Sequence, residues 1–142
     1  MTQATTTARE PISASIAAYY NETPDRSFLE CRQRLISYLM KLNNALRNDL
    51  QDLSHALTSR FCDSLVDYLS AGYFQLFQRA APRPTDYAAI EATTRSAMAF
   101  NDRFGHLREI DVPEVQAALE QLARALSTRF ELEDATLDTL HG

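Results

Sequence analysis

Apolar residues return every three or four positions along most of this chain, the period of one face of an α-helix, and no segment shows the period of two that marks a strand. After Pro11, the stripe Ile12, Ile16, Tyr19, Tyr20, closed by Asn21 and Pro24, predicts a short amphipathic helix. A longer one is predicted from about Asp25 through Phe28, Cys31, Leu35, Leu39 and Leu42, with Asn43 and Asn44 weakening its end. The next helical stretch covers Leu46 to Ala81, with Ser54 as a start and Pro82 and Pro84 as a stop. Gly72 is its one internal weak point. Glycine inside a helix costs about 1 kcal/mol relative to alanine, so a kink or a close backbone approach is expected there. Thr85 or Asp86 is placed to cap a helix carrying Tyr87, Ile90, Met98 and Phe104 and ending at Gly105. Asp111 with Glu114 resembles a capping box, Pro113 suits a first turn, and the last helix runs on through Leu119, Leu122, Leu126, Phe130 and Leu137.

The elements add up to an all-α fold: an antiparallel four-helix bundle with a short additional N-terminal helix. Residues 1 to 10, rich in Thr and Ala without apolar period, read as a flexible tail, and residues 11 to 142 as one domain. A chain of 142 residues, 45% hydrophobic, is large enough for one real core.

Charge narrows the choice of partner. Fourteen Lys and Arg against nineteen Asp and Glu leave a net charge of -5, which argues against a general attraction to nucleic-acid phosphates and favours a basic partner. Cys31 and Cys62 are too few for a disulfide framework, and MTQATTTARE has no apolar signal region, so the cytoplasm is the expected compartment. No uninterrupted apolar run approaches the roughly 20 residues that span a bilayer.

On a helical wheel, Phe61 to Phe77 places Phe61, Cys62, Leu65, Val66, Leu69, Tyr73, Leu76 and Phe77 on one broad core face. Opposite lie Asp63 and Asp67, with Ser70 and Ala71 beside them and Phe74 two turns beyond Asp67. Like charges at i,i+4 oppose an isolated helix by roughly 0.2–0.5 kcal/mol, and an aromatic is out of place on such a side. One reading is a docking surface in which Asp63 and Asp67 pair with a basic partner, Phe74 packs on it, and Ser70 and Ala71 allow close approach, with Tyr73 and Phe77 supporting from within. The plainer reading has Arg60 neutralise Asp63, a neighbouring helix supply a cation for Asp67, and a loop cover Phe74.

Two charges fall inside apolar stripes: Arg32 between Phe28 and Leu35, and Glu133 between Phe130 and Leu137. An inward charge needs a partner, so Arg32 is expected to meet Glu133 across the bundle, with Arg129 reaching Glu133 at i,i+4. The pair is either a structural device fixing register or the lining of a small-ligand cavity.

Catalytic and metal-binding constellations are not expected. Dimetal sites in bundles need Glu-x-x-His pairs on two helices, and only Asp52 and His55 approach that spacing; His55, His106 and His141 are scattered. Gly72, Gly105 and Gly142 do not make a phosphate loop, and both cysteines sit on apolar stripes as small hydrophobes. No cofactor is read from the chain.

Three segments carry a family resemblance. FCDSLVDYLSAGYF (residues 61–74) and RFELED (residues 129–134) closely resemble signatures of the Rsd/AlgQ family of bacterial anti-sigma factors, the regulators of sigma D, and FLECRQRLI (residues 28–36) is similar to that family's first helix. Where the family commonly has His after SAG this chain has Tyr73, and where its first helix commonly carries Trp this one has Phe28. The resemblance implies a helical bundle that binds the primary sigma factor, chiefly its basic promoter-reading C-terminal domain, and withholds it from core RNA polymerase. It implies no enzyme activity and no direct contact with nucleic acid. The same resemblance also admits an adaptor whose main partner is another regulator, such as a phosphocarrier or a stringent-response protein; a small-ligand carrier using the bundle interior is a third reading.

Overall fold

The computed structural model describes residues 12–141, with side chains from residue 25 onward; the expected tail at residues 1–10 lies outside them. Helix α1 (Ile12–Arg47) leads to α2 (Gln51–Gly72), which continues without a break into a π turn (Tyr73–Phe77). Then come α3 (Pro84–Phe104) and α4 (Val112–His141). Each helix packs on the next and α1 returns against α4, closing an antiparallel four-helix bundle. Among the described residues there is no strand.

The expected short N-terminal helix is not a separate element. Ile12 to Arg47 is one helix of 36 residues, about 54 Å long at 1.5 Å per residue. Proline removes only one donor from a helix, a local loss that a helix of this length can span, so the predicted break at Pro24 does not occur. The other boundaries shift by smaller amounts. Helix α2 starts at Gln51, ahead of Ser54, because the chain reverses at Asp49, whose positive φ of 54° is a conformation that Asp tolerates. Asn48 steadies this turn by donating from Nδ2 to the Asn44 carbonyl (2.8 Å). Helix α3 is not capped by Thr85 or Asp86. Its N-cap is Arg83 and Pro84 occupies the first turn, where a fixed φ and a missing donor cost nothing; Asp86 instead accepts from Arg83 Nε (3.1 Å). At the start of α4, Glu114 pairs with Arg103 of α3, while the Asp111 carbonyl takes the Val115 amide (3.0 Å).

Phe28, Leu35, Leu42 and Leu46 of α1 meet Phe61, Leu65 and Tyr68 of α2, Ala97, Phe100 and Phe104 of α3, and Val115, Leu119, Leu122 and Leu126 of α4 in one core. Phe61 and Phe100 stack edge to face, centroids 5.5 Å apart. At one end of the bundle Gln51 Nε2 donates to the Ile110 carbonyl and His55 Nε2 contacts the Leu107 carbonyl, both at 2.7 Å. At the other end Asp25 joins Arg79 and His141.

Candidate protein-docking face and the ion cluster behind it

Helix α2 faces the core with a different side from the one its apolar residues suggest. Its buried positions are Ser54, Thr58, Phe61, Cys62, Ser64, Leu65, Tyr68, Ala71 and Gly72, whereas Val66, expected inside, is 42% exposed. The helix is rotated toward its small residues because Ser64, Ala71 and Gly72 let neighbouring helices come close. Gly72 shows how close: a Cβ there would lie 3.4 Å from Phe28 and 3.7 Å from an Arg129 nitrogen. Ala71, only 6% exposed, is thus a packing residue and not a docking one.

The solvent side is correspondingly sharper. Asp63, Val66, Asp67, Ser70, Tyr73 and Phe74 are all exposed and follow one another at spacings of one, three or four residues. Among the described residues neither Asp63 nor Asp67 has an ion-pair partner, and Arg60 does not close on Asp63. Among the described residues no loop covers Phe74, which is 67% exposed. Tyr73, expected to support from within, is 56% exposed and stacks edge to face on Phe74 with centroids 4.9 Å apart. The correction has a geometric cause: once the core is centred on Phe61, Leu65, Tyr68 and Gly72, position 73 turns outward. Phe77 does lie half-buried against the core.

Directly behind this face, charge is buried. Arg32 Nη1 lies 3.3 Å from Glu133 Oε1 and Arg32 Nη2 lies 2.8 Å from Asp134 Oδ1. Arg129 Nε lies 3.2 Å from Glu133 Oε2, and the same oxygen accepts the hydroxyl of Tyr68. Arg129 Nη1 also donates to Thr94 Oγ1 (2.7 Å), Thr93 Oγ1 (3.2 Å) and the Ile90 carbonyl (3.2 Å). All four helices contribute. Glu133 has no solvent exposure, and burial holds its carboxyl above the usual carboxylate range against the opposing pull of Tyr68, Arg129 and Arg32. Burial likewise raises the Tyr68 hydroxyl, with the Glu133 charge adding to it. For Arg32 burial works downward, but Asp134 and then Glu133 outweigh it and raise the guanidinium further.

Sequence reasoning missed Tyr68, Thr93, Thr94 and Asp134. Tyr68 had a signal: a hydroxyl three residues after Leu65 on a buried stripe requires an acceptor, and Glu133 was the one inward acid. The threonines had none, since their role depends on how α3 crosses α4. Among the described residues no group of three or more His, Cys, Asp or Glu is placed to hold a metal ion.

The family described as "Regulator of RNA polymerase sigma(70) subunit, Rsd/AlgQ" matches residues 21–141. The chain belongs to the Rsd/AlgQ family. It is 32% identical over 130 residues to a "Regulator of sigma D" of Yersinia enterocolitica, covering 80% of this chain and 77% of that protein. A "Regulator of sigma D" of Yersinia pseudotuberculosis matches at the same identity, with 76% of its length covered, and one of Enterobacter sp. at 29% over 127 residues. No solved structure matches the chain. The three segments that carried the Rsd/AlgQ resemblance in the sequence converge in space. Phe28 and Arg32, Tyr68 and Gly72, and Arg129, Glu133 and Asp134 all belong to the buried cluster or its immediate wall. The candidate docking face lies on the outer side of one of those segments.

Proposed function

We propose that this chain is an anti-sigma factor: it binds the primary sigma factor, chiefly its basic promoter-reading C-terminal domain, and keeps it from core RNA polymerase. Asp63, Val66, Asp67, Ser70, Tyr73 and Phe74 form the contact surface. The observation that carries this reading is the exposed Asp63 and Asp67, without an ion-pair partner among the described residues and continuous with the exposed Tyr73 and Phe74 pair, within a segment that resembles a family signature. The aspartates steer and orient a basic surface, and the aromatic pair supplies the apolar centre that loses its water on binding. Carboxylates that engage Arg and Lys side chains of a DNA-reading domain occupy the groups that would otherwise meet phosphate, so transcription is altered without contact with DNA. The protein works by stoichiometric binding and not catalysis, in the cytoplasm with the polymerase; among the described residues no helix is long and apolar enough to cross a membrane.

The small-ligand reading has no observation in its favour, because the donors and acceptors of the Arg32, Arg129 and Glu133 cluster satisfy one another. The adaptor reading is separated by pull-down of the purified protein from its own bacterial lysate, compared with the Asp67→Lys variant. Recovery of the sigma factor, lost on charge reversal with the fold intact, supports the anti-sigma reading. Recovery of a different regulator without sigma refutes it.

A further inference from the structure

The aromatic pair of the docking face sits on the π turn that continues α2. Up to Gly72 the chain is α-helical; from Tyr73 to Phe77 it widens into a π turn, and the Tyr73 amide is shared between the carbonyls of Leu69 and Ser70. The consequence falls on Phe77. With the buried side of α2 centred on Phe61, Leu65, Tyr68 and Gly72, a straight α-helix would align Phe77 with Ser70 and Val66, seven and eleven residues earlier and both exposed. The wider turn swings it inward, where it packs against the core beside fully buried Leu76 and leaves Tyr73 and Phe74 outside. A wide turn gives up regular hydrogen bonding and needs something to hold it.

The holding groups are the buried ions. The Arg129 guanidinium lies over the Tyr68 ring and over the Phe77 ring, 5.7 Å from each centroid, so one cation grips the chain ahead of the turn and at its last residue. Tyr68 is fixed from its other end by its hydroxyl on Glu133, and from its faces and edges by Phe28 and Phe130. Gly72, at the junction, leaves room for Arg129 and Glu133 to lie against the backbone. Arg129 itself is fixed from α3 by Thr93, Thr94 and the Ile90 carbonyl.

We infer that the Tyr68, Arg129 and Glu133 cluster is a positioning device for the docking face: it holds the turn Tyr73–Phe77 wide, and thereby aims Tyr73 and Phe74 at the partner without touching it. The inference rests on the docking reading and deepens it. A cluster that only stabilised the bundle would affect melting and global unfolding, and leave the binding of the folded fraction unchanged.

The test uses the full chain and two measurements, amide hydrogen exchange of the free protein and affinity for the purified primary sigma factor. Tyr68→Phe removes the hydroxyl and keeps the ring. Thr94→Val removes the shortest bond to Arg129 at a half-buried edge and serves if the first variant folds poorly. In each, exchange at residues 73–77 is expected to quicken about tenfold while the mid-bundle amides around Leu65 and Leu122 stay protected, and sigma affinity to fall about fivefold or more. Unchanged exchange at residues 73–77, or faster exchange there with unchanged affinity, overturns the positioning role. Asp67→Lys and Phe74→Ala are measured alongside. If those two bind normally, the docking reading fails and takes the inference with it; if they bind poorly while Tyr68→Phe and Thr94→Val bind normally, the positioning role fails alone.

Discussion

Tyr68 of α2 donates its hydroxyl to Glu133 of α4, a residue 65 positions later in the chain, and both side chains are wholly inside the bundle. The bond joins the inner side of α2 to the only fully buried carboxylate among the described residues. Next to Tyr68 in sequence, Asp67 faces the solvent. One helix thus carries the structural ion cluster on one side and the proposed partner surface on the other.

Charge reversal on that surface separates binding from folding. Asp67→Lys and Asp63→Lys are each expected to weaken sigma association about tenfold at low salt with melting temperature nearly unchanged, since both positions are exposed and have no ion-pair partner among the described residues. The effect should shrink as ionic strength rises and the Debye length falls below about 10 Å. An affinity for the wild-type chain that does not respond to salt contradicts electrostatic steering.

Phe74→Ala removes an exposed ring with little packing of its own. Stability is expected to stay within about 0.5 kcal/mol, while binding loses about 1–2 kcal/mol if the ring is the desolvated centre of the contact. Chemical denaturation and titration calorimetry measure the two effects separately.

Glu133 makes stability depend on pH in a definite direction. Its folded pKa lies above its ordinary value, so across that window the folded state holds more protons than the unfolded one. Its contribution is therefore greatest at acid pH and is lost as pH rises from the unfolded value through the folded one. Glu133→Gln has no such titration. Relative to wild type, the variant should look least stable in acid and improve as pH increases, which urea melts at several pH values will show; a difference that is flat or falls with pH is inconsistent with the buried acid.

Gly72 discriminates between a methyl group and anything larger. In Gly72→Ala the new Cβ meets Phe28 at 3.4 Å, an ordinary contact, and the gain in helix propensity offsets it, so stability should change by less than about 1 kcal/mol. Gly72→Leu must displace Phe28, Arg129 or Glu133 and should cost about 2 kcal/mol or more. Thermal melts of the pair check the contrast.

The two thiols should differ in reactivity. Burial, with the Asp63 charge adding to it, pushes the Cys62 thiol up to about 12, and its side chain is almost wholly covered, whereas Cys31 is half-buried. A thiol-specific reagent near neutral pH is expected to modify Cys31 first and Cys62 only on unfolding. Mass spectrometry of a time course identifies the order.

Local pattern was enough for the helices and for the inward pointing of Arg32 and Glu133. Apolar period, Gly105 and the proline stops are properties of a few neighbouring residues, and an ion on an apolar stripe is visible without knowing what it meets. The same local signals misplaced the break at Pro24 and the cap of α3, because a proline can sit within a long helix or open one, and only the continuing chain decides. The solvent side of α2 was half legible. Asp63, Asp67, Ser70 and Phe74 could be assigned to the solvent side by alternation with the core, but Tyr73 and Ala71 exchanged places.

That exchange marks the division between what the order of residues determined and what folding decided. The sequence by itself determined that the chain would be all helical, that a charged pair would be drawn inward, and that an acidic helix side would carry an aromatic. Only tertiary structure decided how far α2 rotates, since close approach through Ser64, Ala71 and Gly72 depends on the neighbours that use the space. It alone decided that Tyr68 would complete the ion cluster, because a hydroxyl's partner lies 65 residues away in sequence and a bond's length away in the fold. The wide turn brings Phe77 inward beneath the Arg129 guanidinium, and where that guanidinium lies is a property of the assembled bundle.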